Sequence, residues 1–420
     1  MLTRVPKGTF DVLPGEVEKW QFLEETARRL CRDYGYRELR TPIFEHTELF
    51  LRGVGDTTDV VEKEMYTFQD KGGRSISLRP EGTAPAARAY LEHGLHAGPQ
   101  PVKVFYIGPM FRYANVQAGR YRQFHQFGIE VFGSGDPLVD AEVVAMAMEY
   151  YRRLRLRDME LHINSVGCPH CRPVHREKLL EFLRERLEQL CADCRSRVHR
   201  NPLRVLDCKE EECRRVTEGA PTTLDYLCSE CRLHFEQTLS YLDEVGVQYV
   251  VDGRLVRGLD YYTRTAFEIM MPEIGAQSSI GGGGRYDGLV AQLGGPAVPG
   301  IGFAIGLERV LAALEKQGAV LPGRESLQVF VAVVGEEARR TGFKIVQELR
   351  SRGVSADLDT QNRSLKAQMK YANRLQAAMV AIIGEEELKR GIIQLRDMES
   401  GQQHEVKIEE LYSAVAKRGR

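Results

Sequence analysis

Four arginines in this chain stand where a polyphosphate could be gripped. Arg112 ends the apolar run of F-Y-I-G-P-M-F-R-Y-A-N-V-Q-A-G-R-Y-R-Q-F-H-Q-F-G-I-E-V-F-G (105–133), ahead of a loop carrying Arg120 and Arg122. The segment reads as a hairpin with one cation at its root and more in its loop. A guanidinium so placed offers a rigid fork of donors to phosphate oxygens. Arg257 opens R-G-L-D-Y-Y, Arg285 follows the run Gly281–Gly284, and Arg309 lies in G-L-E-R. Spread over separated sheet segments, the four together suit a clamp for a triphosphate. The returning strand of the hairpin can be read by period two. Gln126 and Glu130 share a face with Gly128 between them and Phe124 and Phe132 at the ends, while His125, Phe127, Ile129 and Val131 take the opposite face. An amide and a carboxylate, with Gly128 leaving room between them, make a floor for a small polar ligand.

The cysteines carry a second possible chemistry. Eight of the nine fall between Cys168 and Cys231, as C-P-H-C, C-A-D-C, C-K-E-E-E-C and C-S-E-C. The opening M-L-T-R-V-P-K-G-T-F-D-V-L-P has no apolar signal core, so a disulfide framework is not expected. Paired C-x-x-C hooks have the spacing of a structural zinc site. A reduced, metal-free helical module is the other reading, and no metal ligand is assigned. There is no G-x-x-x-x-G-K-[ST] loop and no H-E-x-x-H. The net charge of −1 leaves any nucleic-acid partner to local basic patches. No run is long enough to span a membrane, and the expected location is the cytoplasm.

These residues need elements to hold them. The composition, 43% hydrophobic and 28% charged, is that of a globular protein, and 420 residues suggest two or three domains. Val17, Trp20, Leu23, Ala27, Leu30, Cys31 and Tyr34 predict an amphipathic helix over 17–34. An extended segment around Pro42, a strand at 75–83, a helix at 140–154 and a strand at 159–164 follow. From 165 to 235 the composition turns Cys-, Arg- and Glu-rich and helical, as in an inserted module. Strands return at 247–252, 265–271 and 279–285, then a strand runs into a helix over 300–314. After a linker at 318–326, L-Q-V-F-V-A-V-V begins an alternation of strands and helices, expected to be a small α/β domain with a largely parallel sheet. Arg363, Lys366, Lys370 and Arg374 fall close to one helical face there, either a solvated charged face or an RNA contact.

At this point the pattern resembles the class II aminoacyl-tRNA synthetases, specifically the histidine family. Y-G-Y-R-E-L-R-T-P-I-F-E is similar to the first class II motif, the dimer-interface segment around Pro42. F-R with G-R-Y-R-Q-F-H-Q-F-G-I-E is similar to the second, and G-I-G-F-A-I-G-L-E-R to the third. L-V-R-G-L-D-Y-Y-T and G-G-G-R-Y-D-G-L resemble two motifs peculiar to the histidine enzymes. The resemblance implies an α+β fold, with an antiparallel catalytic sheet flanked by helices over 1–164 and 236–320. It also implies a Cys-rich, mainly helical insertion over 165–235 and an α/β anticodon-binding domain over 327–420. It implies a cytoplasmic homodimer that activates L-histidine with ATP and Mg2+ and transfers it to the 3′ end of tRNA(His). Arg112, Arg309 and Arg120 would hold ATP, and Arg257 and Arg112 would serve the chemical step. Glu81, Thr83, Gln126, Glu130, Arg257, Tyr261, Tyr262 and Tyr286 would hold histidine.

One position departs from the family's second motif: Ala114 stands where an acid usually follows the arginine by two residues. A rival is a catalytically inactive, histidine-binding regulatory subunit of ATP phosphoribosyltransferase. That paralogue generally loses the key arginines and the last domain, whereas this chain keeps Arg112, Arg257, Arg309 and residues 327–420. A zinc-dependent nucleic-acid-binding protein would leave the arginine motifs unexplained.

Overall fold

The computed structural model describes every residue except 1, 2, 56, 57, 59, 118, 209, 273–277, 324, 325 and 417–420. Ala118 of the hairpin loop and Arg324 and Glu325 of the expected linker therefore lie outside the described residues. The chain divides into two compact units, Met1–Pro322 and Gly323–Arg420.

In the first unit the strands are β1 (Arg37–Glu38), β2 (Phe44–His46), β3 (Thr67–Gln69), β4 (Ser75–Leu78), β5 (Val102–Phe111) and β6 (Gln123–Phe132). Then come β7 (Glu160–Ser165), β8 (Val250–Val251), β9 (Thr263–Met270), β10 (Ser279–Arg285) and β11 (Gly300–Gly306). Eight of them form one sheet in the order β1-β5-β6-β11-β10-β9-β7-β8. Its pairings are antiparallel except at the two edges, β1 with β5 and β7 with β8. The remaining three form the small sheet β2-β4-β3.

Alternation along the central strands decides which face of the large sheet is oily. Phe127, Ile129 and Val131 of β6 and Ile301, Phe303 and Ile305 of β11 meet helices Val17–Asp33, Pro137–Arg153 and Leu307–Lys316 in one core. Helix Val17–Asp33 enters it with Trp20, Leu23, Ala27, Leu30 and Cys31, the stripe that its 3.6-residue period predicts. Each fully buried Phe, Leu or Ile there contributes about 1.5–3 kcal/mol by leaving water. With one face committed to helices, the other is left for polar work.

Arg79 ties the neighbouring segments to that second face. Its guanidinium donates to the carbonyls of Pro109 (2.9 Å) and Thr41 (3.0 Å). The extended stretch around Pro42 is thereby fastened to β5.

The inserted stretch is helical, with Cys171–Arg184, Ala192–Arg200, Leu203–Leu206, Glu211–Val216 and Ser229–Glu244. In the second unit the strands are β12 (Val329–Val333), β13 (Ala356–Leu358), β14 (Met379–Ile383), β15 (Ile392–Asp397) and β16 (Gln403–Lys407). All five residues of β12 are buried: Val329, Val331 and Val333 face one cluster, Phe330 and Ala332 another. The expectation of a largely parallel sheet needs correction. β13, β12 and β14 are parallel, but β14-β15-β16 run antiparallel. The turn at Asp397–Gly401, with Gly401 at φ 72°, joins β15 directly to β16, and so short a link permits only an antiparallel return.

Candidate active site

The polar face of the large sheet carries a cavity of about 340 Å³. Its floor comes from Phe124 and Gln126 of β6 and from β11, and its rim from the loop after Arg112 and the start of helix Leu307–Lys316. Among the residues singled out from sequence, Arg112, Arg120, Arg257 and Arg309 all line it. So do Glu81, Thr83, Gln126, Tyr261, Tyr262 and Tyr286.

Each guanidinium is positioned by something local. Arg112 ends β5, and its backbone N–H donates to Arg122 across the hairpin root (2.9 Å). Its Nε donates to the Pro80 carbonyl (2.8 Å), and the ring of Phe124 lies 5.3 Å away. Arg309 donates to the carbonyls of Ser279 (2.6 Å) and Gly119 (3.1 Å), which ties the helix start to β10 and to the hairpin loop. Arg257 lies 3.1 Å from Glu268 of β9. Gly282 permits this, because a Cβ there would come within 2.9 Å of the Arg257 guanidinium. Arg120 pairs with Glu64 and is the most exposed of the four.

Electrostatically the cavity is crowded with positive charge. Burial and, after it, neighbouring arginines lower the pKa of Arg309, with Arg112 the stronger of the two. Burial also lowers that of Arg112, only partly offset by Glu64 and Glu81, with Arg120 adding to the lowering. Burial works against the charge of Arg257 too, but Glu268 more than offsets it and the pKa rises. A polyanion would relieve Arg112 and Arg309.

Of the two acids expected at the site, Glu81 lines the cavity and Glu130 sits behind its wall. Glu81 is buried and accepts the N–H groups of Thr83 and Ala84 (both 2.8 Å), so it caps helix Thr83–Glu92. Burial raises its pKa. Glu130 lies on the same strand face as Gln126 but does not line the cavity. It accepts the hydroxyls of Tyr286 (2.5 Å), Thr83 (2.7 Å) and Tyr106 (3.2 Å). Burial pushes its carboxyl up to about 8 despite those three donors. Gln126 presents a buried amide oxygen with no hydrogen-bond partner. An orphaned acceptor in a cavity wall is a place for a ligand's donor.

Two readings from sequence fail. Gly128 leaves no floor space for a ligand; a Cβ there would stand 2.4 Å from the Tyr106 ring, so the glycine makes room for the tyrosine that reaches Glu130. Arg285 is no part of a clamp. It is fully buried, donates to both oxygens of Asp140 and to the Ser134 carbonyl (2.9 Å), and also meets Asp287 (3.1 Å). Arg257 approaches the strand at Gly282, whereas Arg285 at its end turns toward Asp140 of helix Pro137–Arg153. Sequence reasoning also missed Glu268, Glu64 and Glu308. Glu308 receives the backbone N–H (2.8 Å) and Nδ1 (3.1 Å) of His125 at the cavity edge. Its place beside Arg309 was the available signal.

Elsewhere, Arg363 is held by Asp359 (2.5 Å) and stacks 4.3 Å from Tyr371, which takes it off the expected basic face. Lys366, Lys370 and Arg374 remain exposed there. Among the described residues no helix is long and apolar enough to cross a membrane.

Comparison with known proteins agrees with this geometry. The family model described as histidyl-tRNA synthetase matches residues 8–310, and one described as anticodon binding domain matches 328–418. A histidine–tRNA ligase of Desulforamulus reducens is 62% identical over 411 residues, 98% of each chain. Another, of Pelotomaculum thermopropionicum, is 62% identical over 97% of this chain and 96% of its own. The apo crystal structure of histidyl-tRNA synthetase from S. aureus superposes with a TM-score of 0.84 at 41% identity, covering 99% of this chain and 100% of that one. Such full-length likeness to ligases does not favour the regulatory-subunit alternative. The fold, the motifs and these relatives together place the chain in the histidyl-tRNA synthetase family.

Proposed function

We propose that the cavity activates L-histidine with ATP, and that the chain then transfers the histidyl group to the 3′ end of tRNA(His), releasing AMP. The observation that carries this reading is the convergence of Arg112, Arg257 and Arg309 on one cavity whose orphaned acceptor, Gln126, faces inward. In the first step a histidine carboxylate oxygen bonds to the α-phosphorus of ATP and pyrophosphate leaves. The carboxylate is already ionised at neutral pH, so no general base is needed. Positioning and charge neutralisation are needed, and guanidinium groups supply both. We assign Arg112 to the α-phosphate, Arg309 to the γ-phosphate, Arg257 to the α-phosphate and histidine carboxylate, and Arg120 to ATP as well. ATP enters as its magnesium complex.

For histidine, Glu81, Thr83 and Gln126 are assigned to the α-ammonium, and Tyr261, Tyr262 and Tyr286 to the ring's surroundings. Glu130 acts one layer back. By accepting the protons of Thr83 and Tyr286 it leaves their oxygen lone pairs for donors on the ligand. A ligand without matching N–H groups leaves that network unpaired and binds less well.

Residues 1–164 and 236–320 form the catalytic domain in this reading, 165–235 the insertion, and 327–420 the anticodon-binding domain. The exposed face of Lys366, Lys370 and Arg374 is the proposed RNA contact. Homodimerisation around the first motif is supported by Ile43, Phe44 and Phe68, apolar yet 45%, 57% and 48% exposed. The cytoplasm is the proposed location. Histidine-dependent exchange of pyrophosphate into ATP tests the activation step. Well-folded protein that shows no exchange would sink it, and a monomer in light scattering would sink the dimer.

A further inference from the structure

The insertion contains two clusters of four cysteines that the activation chemistry does not use. Cys168, Cys171, Cys228 and Cys231 form one, and Cys191, Cys194, Cys208 and Cys213 the other, with all sulfurs of a set within 4.8 Å of one another. The pairing is not the sequential one. The first hook joins the last, and the two middle hooks join each other.

We propose that each set binds one zinc ion as a tetrathiolate centre. Four sulfurs at about 2.3 Å from a common ion stand about 3.8 Å apart along the tetrahedron's edges. Cys168 Sγ lies 3.6 Å from Cys171 Sγ and 4.0 Å from Cys228 Sγ, and Cys191 Sγ lies 4.0 Å from Cys208 Sγ. A disulfide would need about 2.05 Å, and all eight cysteines are free. The spacing is also too tight to enclose a multi-iron cluster, whose own atoms would separate the ligands.

A second observation is independent of the sulfur spacing. The backbone N–H of Cys228 donates to Cys171 Sγ, and that of Cys191 donates to Cys213 Sγ, both at 3.2 Å. Amides aimed at sulfur from across the pair of hooks stabilise thiolate charge, as the groups around a metal's ligands do. Each ion displaces the thiol protons to solvent and takes four thiolates, so a centre carries a net charge of −2 and gains from those donors.

The fold around the cysteines needs such staples. The distal lobe has helices Leu203–Leu206 and Glu211–Val216, which are far too short to persist alone. Its buried cluster has Cys194, Cys208 and Cys213 among its members, so part of the core is itself the cysteine set. The other centre joins the segment just after β7 to the start of helix Ser229–Glu244, the two ends of the insertion. The distal lobe also touches the segment that carries Arg257. Asn201 donates to Asp260 (3.2 Å), and Arg254 donates to Thr217 (2.7 Å).

Elemental analysis of the reduced, full-length protein after dialysis against metal-free buffer is the test. Two zinc ions per chain are expected, and Cys171→Ser and Cys194→Ser should each retain one. Replacement of the metal by Co2+ should give thiolate-to-cobalt charge-transfer bands of tetrahedral centres in the wild type, a readout that needs no variant to fold. Zinc near zero, or iron in its place, overturns the proposal. A single zinc in the wild type overturns the twin assignment.

Discussion

Two regions of this molecule bury arginine, and they do so in opposite ways. Arg285 meets Asp140 at both carboxylate oxygens, with Asp287 and a carbonyl completing the set. At the cavity, Arg112 in the wall and the buried Glu130 behind it are kept apart. Arg112 turns to a carbonyl, and Glu130 takes only neutral hydroxyls. The Arg285–Asp140 pair is structural and self-contained. A charge that lines a cavity can still meet a ligand, whatever it is paired with behind the wall. The lesson is that burial alone does not mark a functional arginine; whether its guanidinium opens onto the cavity does.

This contrast can be broken most sharply by Arg257→Ala. Histidine-dependent pyrophosphate exchange per folded molecule should fall on the order of 1,000-fold, as when a transition-state arginine is lost. Exchange at the wild-type rate would remove Arg257 from the chemistry. Asp140→Asn should show the reverse pattern. Leaving Arg285 buried without its carboxylate should cost about 3 kcal/mol in urea unfolding, while exchange per folded molecule stays near wild type.

Glu130→Gln probes the unpaired acid. Its folded-state pKa, about 8, lies above the ordinary 4.5. Between those values the folded protein holds a proton that the unfolded chain releases, so raising the pH favours unfolding. The contribution is present below about 4.5 and lost as pH rises through 8, with a slope of at most about 1.4 kcal/mol per pH unit. Melting of the ligand-free protein should therefore decline with pH more steeply in the wild type than in the variant. Parallel curves would refute the assignment.

Exposed cations form a third arrangement, and they should matter least to folding. Lys366→Ala with Lys370→Ala should raise the KM for tRNA(His) several-fold and flatten its salt dependence, leaving exchange untouched. An unchanged KM would return that face to solvent. The smallest expected effect is at Ala114, a buried residue of the cavity lining. Restoring an acid with Ala114→Glu should lower the KM for ATP about fivefold, the worth of one hydrogen bond. No change in either half-reaction would make the departure neutral.

Much of the fold was legible because it rests on local periodicity. The helix at 17–34 and the two faces of β6 follow from which residues repeat, and the structure keeps both. Arg112 and Arg309 were legible too, since each lies within three residues of a strand end that brings it to the cavity. What could not be read was what each group meets from a distant segment. Gly128 looked like floor space until Tyr106 was seen to fill it, and Arg285 looked like a clamp until Asp140, 145 residues away, was seen to claim it. The cysteine hooks announced a metal-type spacing but not their partners.

The sequence by itself determined the elements, the family motifs and the residue types available for chemistry, because period and local spacing are properties of neighbours along the chain. Only the tertiary structure decided which arginines face a cavity, that Glu130 meets hydroxyls behind its wall, and that eight cysteines sort into two sets of four. Those outcomes depend on charge pairing and close approach between segments far apart in sequence, and folding alone brings them together.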